Sequence, residues 1–203
     1  MGMNFKNYKG YVFPASDTEC GPAVLSTLKD LEAYYPFVRN FNVAVQAGGN
    51  VGIWPAKMAE KFENVYTFEP DPDNFACLAH NAMLPNVHKF QAALGDNHQG
   101  VKLWTNPNNV GAHYVDGTGP IRTLTIDDLN LPMLDFVMLD VEGYELNALK
   151  GGNLTIQMFR PTIVIEEKGH GKRYNSEDTV EYLKALGYRH VHSVHRDMVF
   201  TWS

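Results

Sequence analysis

The chain has 203 residues, 44% of them hydrophobic and 20% charged, which is the composition of a globular protein long enough to bury its own core. Its 17 Lys and Arg against 23 Asp and Glu give a formal net charge of -6, which argues against a sequence-independent grip on nucleic acid through phosphate neutralisation. Cys20 and Cys77 form no CxxC pair or disulfide framework, no apolar run approaches the ~18 residues of a membrane span, and MGMNFKNYKG lacks the apolar core of a signal peptide, so a cytoplasmic setting without membrane contact is expected.

In chain order, residues 1–20 carry aromatics and turn formers without clear periodicity, and Pro22 opens a helix through AVLSTLKDLEAYY that Pro36 stops. Residues 1–40 are expected as an N-terminal helical extension packed on a main domain of residues 41–203. There NVAVQA (42–47) reads as a β-branched strand, Gly48–Gly52 as a turn and IWPAKMAEKF as a short helix with an early Pro55. VYTFE (65–69) is a second strand, Asp71-Pro72 an N-cap and first-turn proline for the helix DNFACLAHNA, and VHKFQAAL (87–94) a third strand. VKLWT (101–105) and IRTLTI (121–126) are expected to pair as a ribbon around a long irregular loop at 105–120. The apolar run MLDFVMLDV (133–141) suits a buried central strand, ELNALKGG a helix closed by Gly151 or Gly152, and RPTIVIEE (160–167) a fifth strand. Ser176 opens the helix TVEYLKAL, and YRHVHSVH with MVFTW, turning at Arg196-Asp197, form a terminal hairpin. Alternating β and α segments predict an α/β fold. It is a doubly wound, mostly parallel seven-stranded sheet in a three-layer αβα sandwich, with a C-terminal antiparallel hairpin and ligands beyond the carboxyl ends of the strands.

Three glycines among residues 48–52 are destabilising unless backbone must approach a ligand or adopt positive φ, so a cofactor is expected at that turn. A dinucleotide fingerprint needs glycine at 48, 50 and 53. Asn50 and Ile53 break it, which disfavours a nucleotide-linked oxidoreductase. Seventeen residues after Gly52, Glu69 at the tip of the second strand is placed to accept both hydroxyls of an adenosine ribose. Asp140 and Glu142 stand two apart at the end of the buried strand and so converge on one side, where two unpaired carboxylates are costly without a cationic ligand, a metal or a proton-exchanging substrate.

These motifs resemble the FkbM-type family of class I S-adenosylmethionine-dependent methyltransferases. The likeness is carried by Gly48-Gly49-Asn50-Val51-Gly52, by Phe68-Glu69-Pro70, by Ala93-Leu94-Gly95-Asp96 and above all by Asp140-Val141-Glu142-Gly143-Tyr144-Glu145 with LNALKG after it. It spans roughly residues 43 to 167. The resemblance implies S-adenosylmethionine as cofactor and O-methylation of a small hydroxylated or sugar-like substrate. A methyltransferase-like module without turnover is the non-enzymatic alternative. It also implies that Gln46, Gly48, Gly49, Asn50, Gly52, Glu69, Pro70, Ala93, Leu94, Asp140 and Glu142 line the cofactor site. Ala93 stands where many relatives keep an adenine-binding acid, with Asp96 a weaker substitute. Gln46 stands where the family has Asp, which removes a negative charge near the cofactor. For an alcohol acceptor, Asp140, His113 and Glu167 are the candidate bases. Lys168, His170, Lys172 and Arg173 follow on the same rim and could hold a substrate phosphate or carboxylate. No metal is expected: His190, His192 and His195 are read as surface residues far from the turn, and metal binding through Asp140, Glu142 or Glu167 is the residual alternative.

Overall fold

The computed structural model describes residues 4–106, 108–166 and 176–203. The N-terminal stretch holds a hairpin, β1 (Phe5–Tyr8) and β2 (Tyr11–Pro14), before the helices α1 (Cys20–Thr27) and α2 (Leu31–Tyr34), so the expected helical extension begins with strands. Then follow β3 (Val43–Ala47), α3 (Ile53–Met58), β4 (Asn64–Phe68), α4 (Pro72–Asn81) and β5 (Val87–Phe90). The short strands β6 (Ala93–Leu94), β7 (Val101–Trp104), β8 (Tyr114–Thr118) and β9 (Thr123–Leu124) lead to the central β10 (Phe136–Leu139). The chain closes with α5 (Glu145–Lys150), α6 (Asn153–Phe159), β11 (Thr162–Glu166), α7 (Ser176–Ala185), β12 (Tyr188–Val194) and β13 (Asp197–Trp202).

Seven strands form one sheet in the order β12-β13-β11-β10-β3-β4-β5, parallel except where β13 runs against β11 and β12. β3, β10 and the first four residues of β11 are buried on both faces, and their alternate side chains separate into two layers. Val45, Ala47, Val137, Leu139 and Ile163 pack toward Leu149, Ile156 and Leu183 of α5, α6 and α7. Ala44, Phe136, Met138 and Val164 pack toward Leu31 and Tyr34 of α2 and Met58 of α3. An apolar strand run is what two such layers demand, since each face must meet its own set of helices. The N-terminal segment shares that second layer, and Asn81 of α4 clamps β2 by donating to the Val12 carbonyl and accepting its N–H, both at 2.8 Å.

Two expectations about local structure are corrected. VHKFQAAL breaks after Phe90, and Ala93–Leu94 leaves the main sheet to pair in parallel with β9. The partner of β7 is β8, from within the supposed irregular loop, while Ile121 keeps a single bridge to Val101. Helix α5 does close at Gly151, where a Cβ would lie 1.9 Å from the Gly95 carbonyl oxygen, and a separate helix α6, not among the expected elements, follows at Asn153.

Candidate active site

The chain leaves β3 toward β4 on one side and returns to β10 on the other, which makes the β3/β10 boundary the switch point where open α/β sheets bind ligands. Both strands end there side by side, with the Asp140 N–H donating to the Ala47 carbonyl at 3.1 Å. Gly48 follows at φ +82, and a Cβ on it would lie 1.9 Å from the Asp140 carbonyl oxygen, so the turn can form only with glycine. The Gly48 and Gly49 N–H groups both donate to the Phe68 carbonyl of β4, at 3.1 and 2.8 Å.

Gln46 supports the turn from below. It is buried, accepts the Thr67 hydroxyl at 2.5 Å, and donates through Nε2 to the Gly48 carbonyl at 2.8 Å and the Ala47 carbonyl at 3.3 Å. Above it, Asn50 adopts φ +48, its side-chain oxygen accepts the Val51 N–H at 2.5 Å, and its amide lies 3.3 Å from the Cys20 sulfur. Its backbone N–H donates to Glu69 Oε2 at 2.7 Å, while Glu69 Oε1 accepts the Asp71 N–H at 2.9 Å. Burial pushes the Glu69 carboxyl up to about 8 against the pull of those donors.

A cavity of about 460 Å³ runs over this turn. Gln46, Gly48, Gly49, Asn50, Glu69 and Pro70 border it on one side. Ala93, Leu94, His113, Asp140 and Glu142 border the rest. Gly52 is not among the residues that border the cavity: at φ +89 it opens α3, and a Cβ there would come 2.8 Å from Leu78 Cα, so the packing of α3 on α4 requires a glycine there. Asp96 is exposed outside the cavity and accepts from Asn97 at 2.7 Å. Glu167 and the basic run Lys168–Arg173 lie outside the described residues.

His113, one of the candidate bases, borders the cavity. Its Nε2 lies 3.2 Å from the Asn106 carbonyl, which ties the ring to its own loop, while its buried Nδ1 faces Asp71 Oδ2 at 3.5 Å without a hydrogen bond among the described residues. Asp71 caps α4, accepting the Asp73 and Asn74 N–H groups at 3.0 Å.

Beyond Asp140 the cavity wall is acidic. Asp140, Glu142 and Glu166 bring carboxylate oxygens within 4.8 Å of one another, a spacing that a cation could share, though acidic groups often gather so without one. Asp140 is an exposed residue on the cavity wall, and the desolvation of its carboxyl by the surrounding protein, then the Glu166 and Glu142 carboxylates, push that carboxyl up. Glu166 rises to about 8, first by burial and then by Glu142. Glu145, the other acid of the strand-end signature, turns back to accept the Val141 and Gly143 N–H groups at 3.1 and 3.3 Å.

Several wall residues carry no motif signal: Asp30, Trp54, Asn74, His195, Arg196 and Asp197. His195 is exposed, as its surface reading expected, but it is not far from the turn: the β12–β13 turn brings it to the rim of the same cavity. Exposed His190 and His192 do stay on the outer strand, His190 being tied to the His192 carbonyl and the Ser193 hydroxyl at 2.8 Å. No helix among the described residues is long and apolar enough to cross a membrane.

The family model described as the methyltransferase FkbM domain matches residues 46–190. The hexuronic acid methyltransferase AglP of Haloferax volcanii is 30% identical over 136 residues, covering 61% of this chain and 55% of that protein. Among solved structures, the FkbM methyltransferase from Methylobacillus flagellatus KT superposes with a TM-score of 0.54 at 19% identity, over 88% of this chain and 54% of that one. The precorrin 8w decarboxylase of Methanobacterium thermoautotrophicum gives 0.57 at 14% identity, over 95% and 97%. The chain thus spans about half the length of AglP and of the M. flagellatus protein. Its sheet order and terminal hairpin are those of the class I methyltransferase fold, and with the family model covering most of its length, the chain belongs to the FkbM methyltransferase domain family.

Proposed function

We propose that the chain is an S-adenosylmethionine-dependent O-methyltransferase acting on a small, sugar-like hydroxylated acceptor. Glu69 is the observation that carries this reading. Each of its oxygens accepts one backbone N–H, and a carboxylate oxygen has a second lone pair, so the group retains two acceptor positions for the vicinal hydroxyls of a ribose. Next to it, Asn74 Oδ1 is buried without a hydrogen-bond partner among the described residues, which fits a polar ligand group in the cavity. Ala93 and Leu94 offer an apolar wall for the adenine, Pro70 continues it, and Asn50 with the Gly48–Gly49 backbone takes the amino-acid end. Gln46 acts through the turn, since its amide is committed to the Gly48 carbonyl.

When bound, the cofactor supplies an electrophilic methyl group on a sulfonium. The chain's own work is to exclude water, align an acceptor oxygen and manage its proton. Asp140 is assigned to the reacting side, where its carboxyl hydrogen-bonds the acceptor oxygen, and Glu142 to the support of the cofactor side. The resemblance to a hexuronic acid methyltransferase supports a sugar as the acceptor class.

Calorimetry with S-adenosylmethionine, S-adenosylhomocysteine and NAD tests the cofactor. Binding of the first two and not of NAD is expected, and the reverse selectivity overturns the reading. Transfer of labelled methyl into a panel of sugars and sugar nucleotides then tests the acceptor.

A further inference from the structure

The far end of the cavity is built from opposite ends of the chain. Thr27 and Asp30 come from the N-terminal helical run, Trp54 from α3, and His195, Arg196 and Asp197 from the turn between β12 and β13. Asp30 is a buried carboxylate, 6% exposed, and a carboxylate in that position needs a partner. Among the described residues, its ion-pair partner is His195, whose Nε2 lies 3.5 Å from Asp30 Oδ2. The contact is held from both sides. His195 occupies the turn at φ +53, and Asp197, two residues on, accepts the hydroxyl of buried Tyr34, four residues beyond Asp30. The other charges facing this corner are Arg196, 3.7 Å from Glu166 on β11, and Asp197 itself.

With Nε2 turned to Asp30, the imidazole presents Nδ1 elsewhere, and its 68% exposed ring borders the cavity and meets solvent at the same time. We infer that His195, oriented by Asp30, is the general base that takes the proton of the acceptor hydroxyl. The inference rests on the methyltransferase reading above and adds to it the group that removes the proton. As the acceptor oxygen forms its bond to the methyl carbon, the carbon–sulfur pair stays on sulfur, and the hydroxyl proton passes to His195 Nδ1. The imidazolium is balanced by Asp30 and discharges to water. A histidine paired with a buried carboxylate on one nitrogen and bordering the cavity that would receive the acceptor is suited to general-base catalysis on an alcohol. Asp140 is poorly placed for that last step. Its carboxyl sits among Glu142 and Glu166, which favour a retained proton, whereas His195 has an open path to solvent. Asp140 holds the hydroxyl and His195 accepts its proton.

The test compares the wild-type chain with His195→Ala, His195→Gln and Asp30→Asn. The readouts are labelled S-adenosylmethionine binding, methyl transfer into the sugar panel across neutral pH, and transfer with added imidazole. His195→Ala and His195→Gln are expected to lower kcat by roughly 10²- to 10⁴-fold, with cofactor affinity changed less than about threefold. Imidazole should restore part of the rate to the alanine variant, whose cavity admits it, and less to the glutamine variant. Asp30→Asn should lower kcat by about tenfold or more while leaving His195 in place. Full activity of His195→Ala overturns the inference, as does a loss of rate matched by lost cofactor binding and unrelieved by imidazole, which makes His195 structural. A wild-type chain that binds the cofactor but methylates nothing in the panel strikes instead at the functional reading, and this inference falls with it.

Discussion

At the scale of single residues, Glu69 joins three functions in one side chain: it fixes the Asn50 N–H, fixes the Asp71 N–H, and faces the cavity. Charge-assisted hydrogen bonds contribute roughly 1.5–3 kcal/mol each, so Glu69→Ala should weaken S-adenosylmethionine binding by one to three orders of magnitude in calorimetry. Glu69→Gln should be milder, because one carbonyl oxygen remains, although its NH₂ then meets a backbone donor. The carboxyl raised to about 8 adds a pH signature. Ribose hydroxyls donate best to the ionised form, so affinity should climb as pH rises from 6.5 toward 9 and binding near neutrality should release a proton. Calorimetry in buffers of different ionisation enthalpy measures that proton, and an unchanged apparent enthalpy would detach Glu69 from the ligand. An acid at a strand tip beside a glycine turn was legible as a ribose ligand from sequence alone. Asp30, Asn74 and His195 were not, because each reaches the cavity through tertiary folding from a segment whose local pattern is ordinary helix or turn.

At the scale of elements, the β3–α3 turn is a small hydrogen-bonded machine whose base is Gln46. Its Oε1 accepts from Thr67 and its Nε2 donates to the Gly48 and Ala47 carbonyls, a polarity that only an amide satisfies. Gln46→Glu keeps the shape and removes the donor, leaving a carboxyl against two carbonyls. It should cost about 1–3 kcal/mol in urea denaturation and weaken cofactor binding with it. Reversion to the family's Asp is expected to be no better, because the shorter side chain loses the donor as well. Gly48→Ala should also destabilise the fold, since the added Cβ meets the Asp140 carbonyl and not an empty ligand space. The strands β3, β4 and β10 and helix α4 were legible because period, cap and breaker signals agree there, as with Asp71 and Pro72. The ribbon was misread because β8 contains Asp116 and Gly117, which resemble a turn, and because β6 and β9 are two-residue strands that carry no periodicity at all.

At the scale of the whole molecule, the doubly wound order followed from the alternation of apolar strands and capped helices, while the placement of the C-terminal turn on the cavity could be seen only once the hairpin had packed against β11. That closure collects acids around one space. Burial raises Glu69 and Glu166 to about 8 and Glu145 to about 7, and moves Asp140 and Asp197 upward as well. In the unfolded chain such groups titrate near 4. The folded state therefore binds more protons than the unfolded state between those values, and stability must fall as pH rises across that window. The contribution is fully present below the unfolded pKa values and is lost as pH passes about 8. Differential scanning calorimetry of the ligand-free chain should show Tm declining between pH 5.5 and 8.5, by about 2–4 °C for each kcal/mol lost in a chain of this length. Saturating S-adenosylmethionine should flatten the decline, since ribose hydroxyls on Glu69 favour the ionised form that the empty cavity penalises. The double variant Glu145→Gln and Glu166→Gln should flatten it without ligand, by removing two of the titrating groups. A Tm that stays level or rises over the same range would mean that the cavity acids titrate as ordinary surface carboxylates, and that the space they enclose is wetter than the fold makes it.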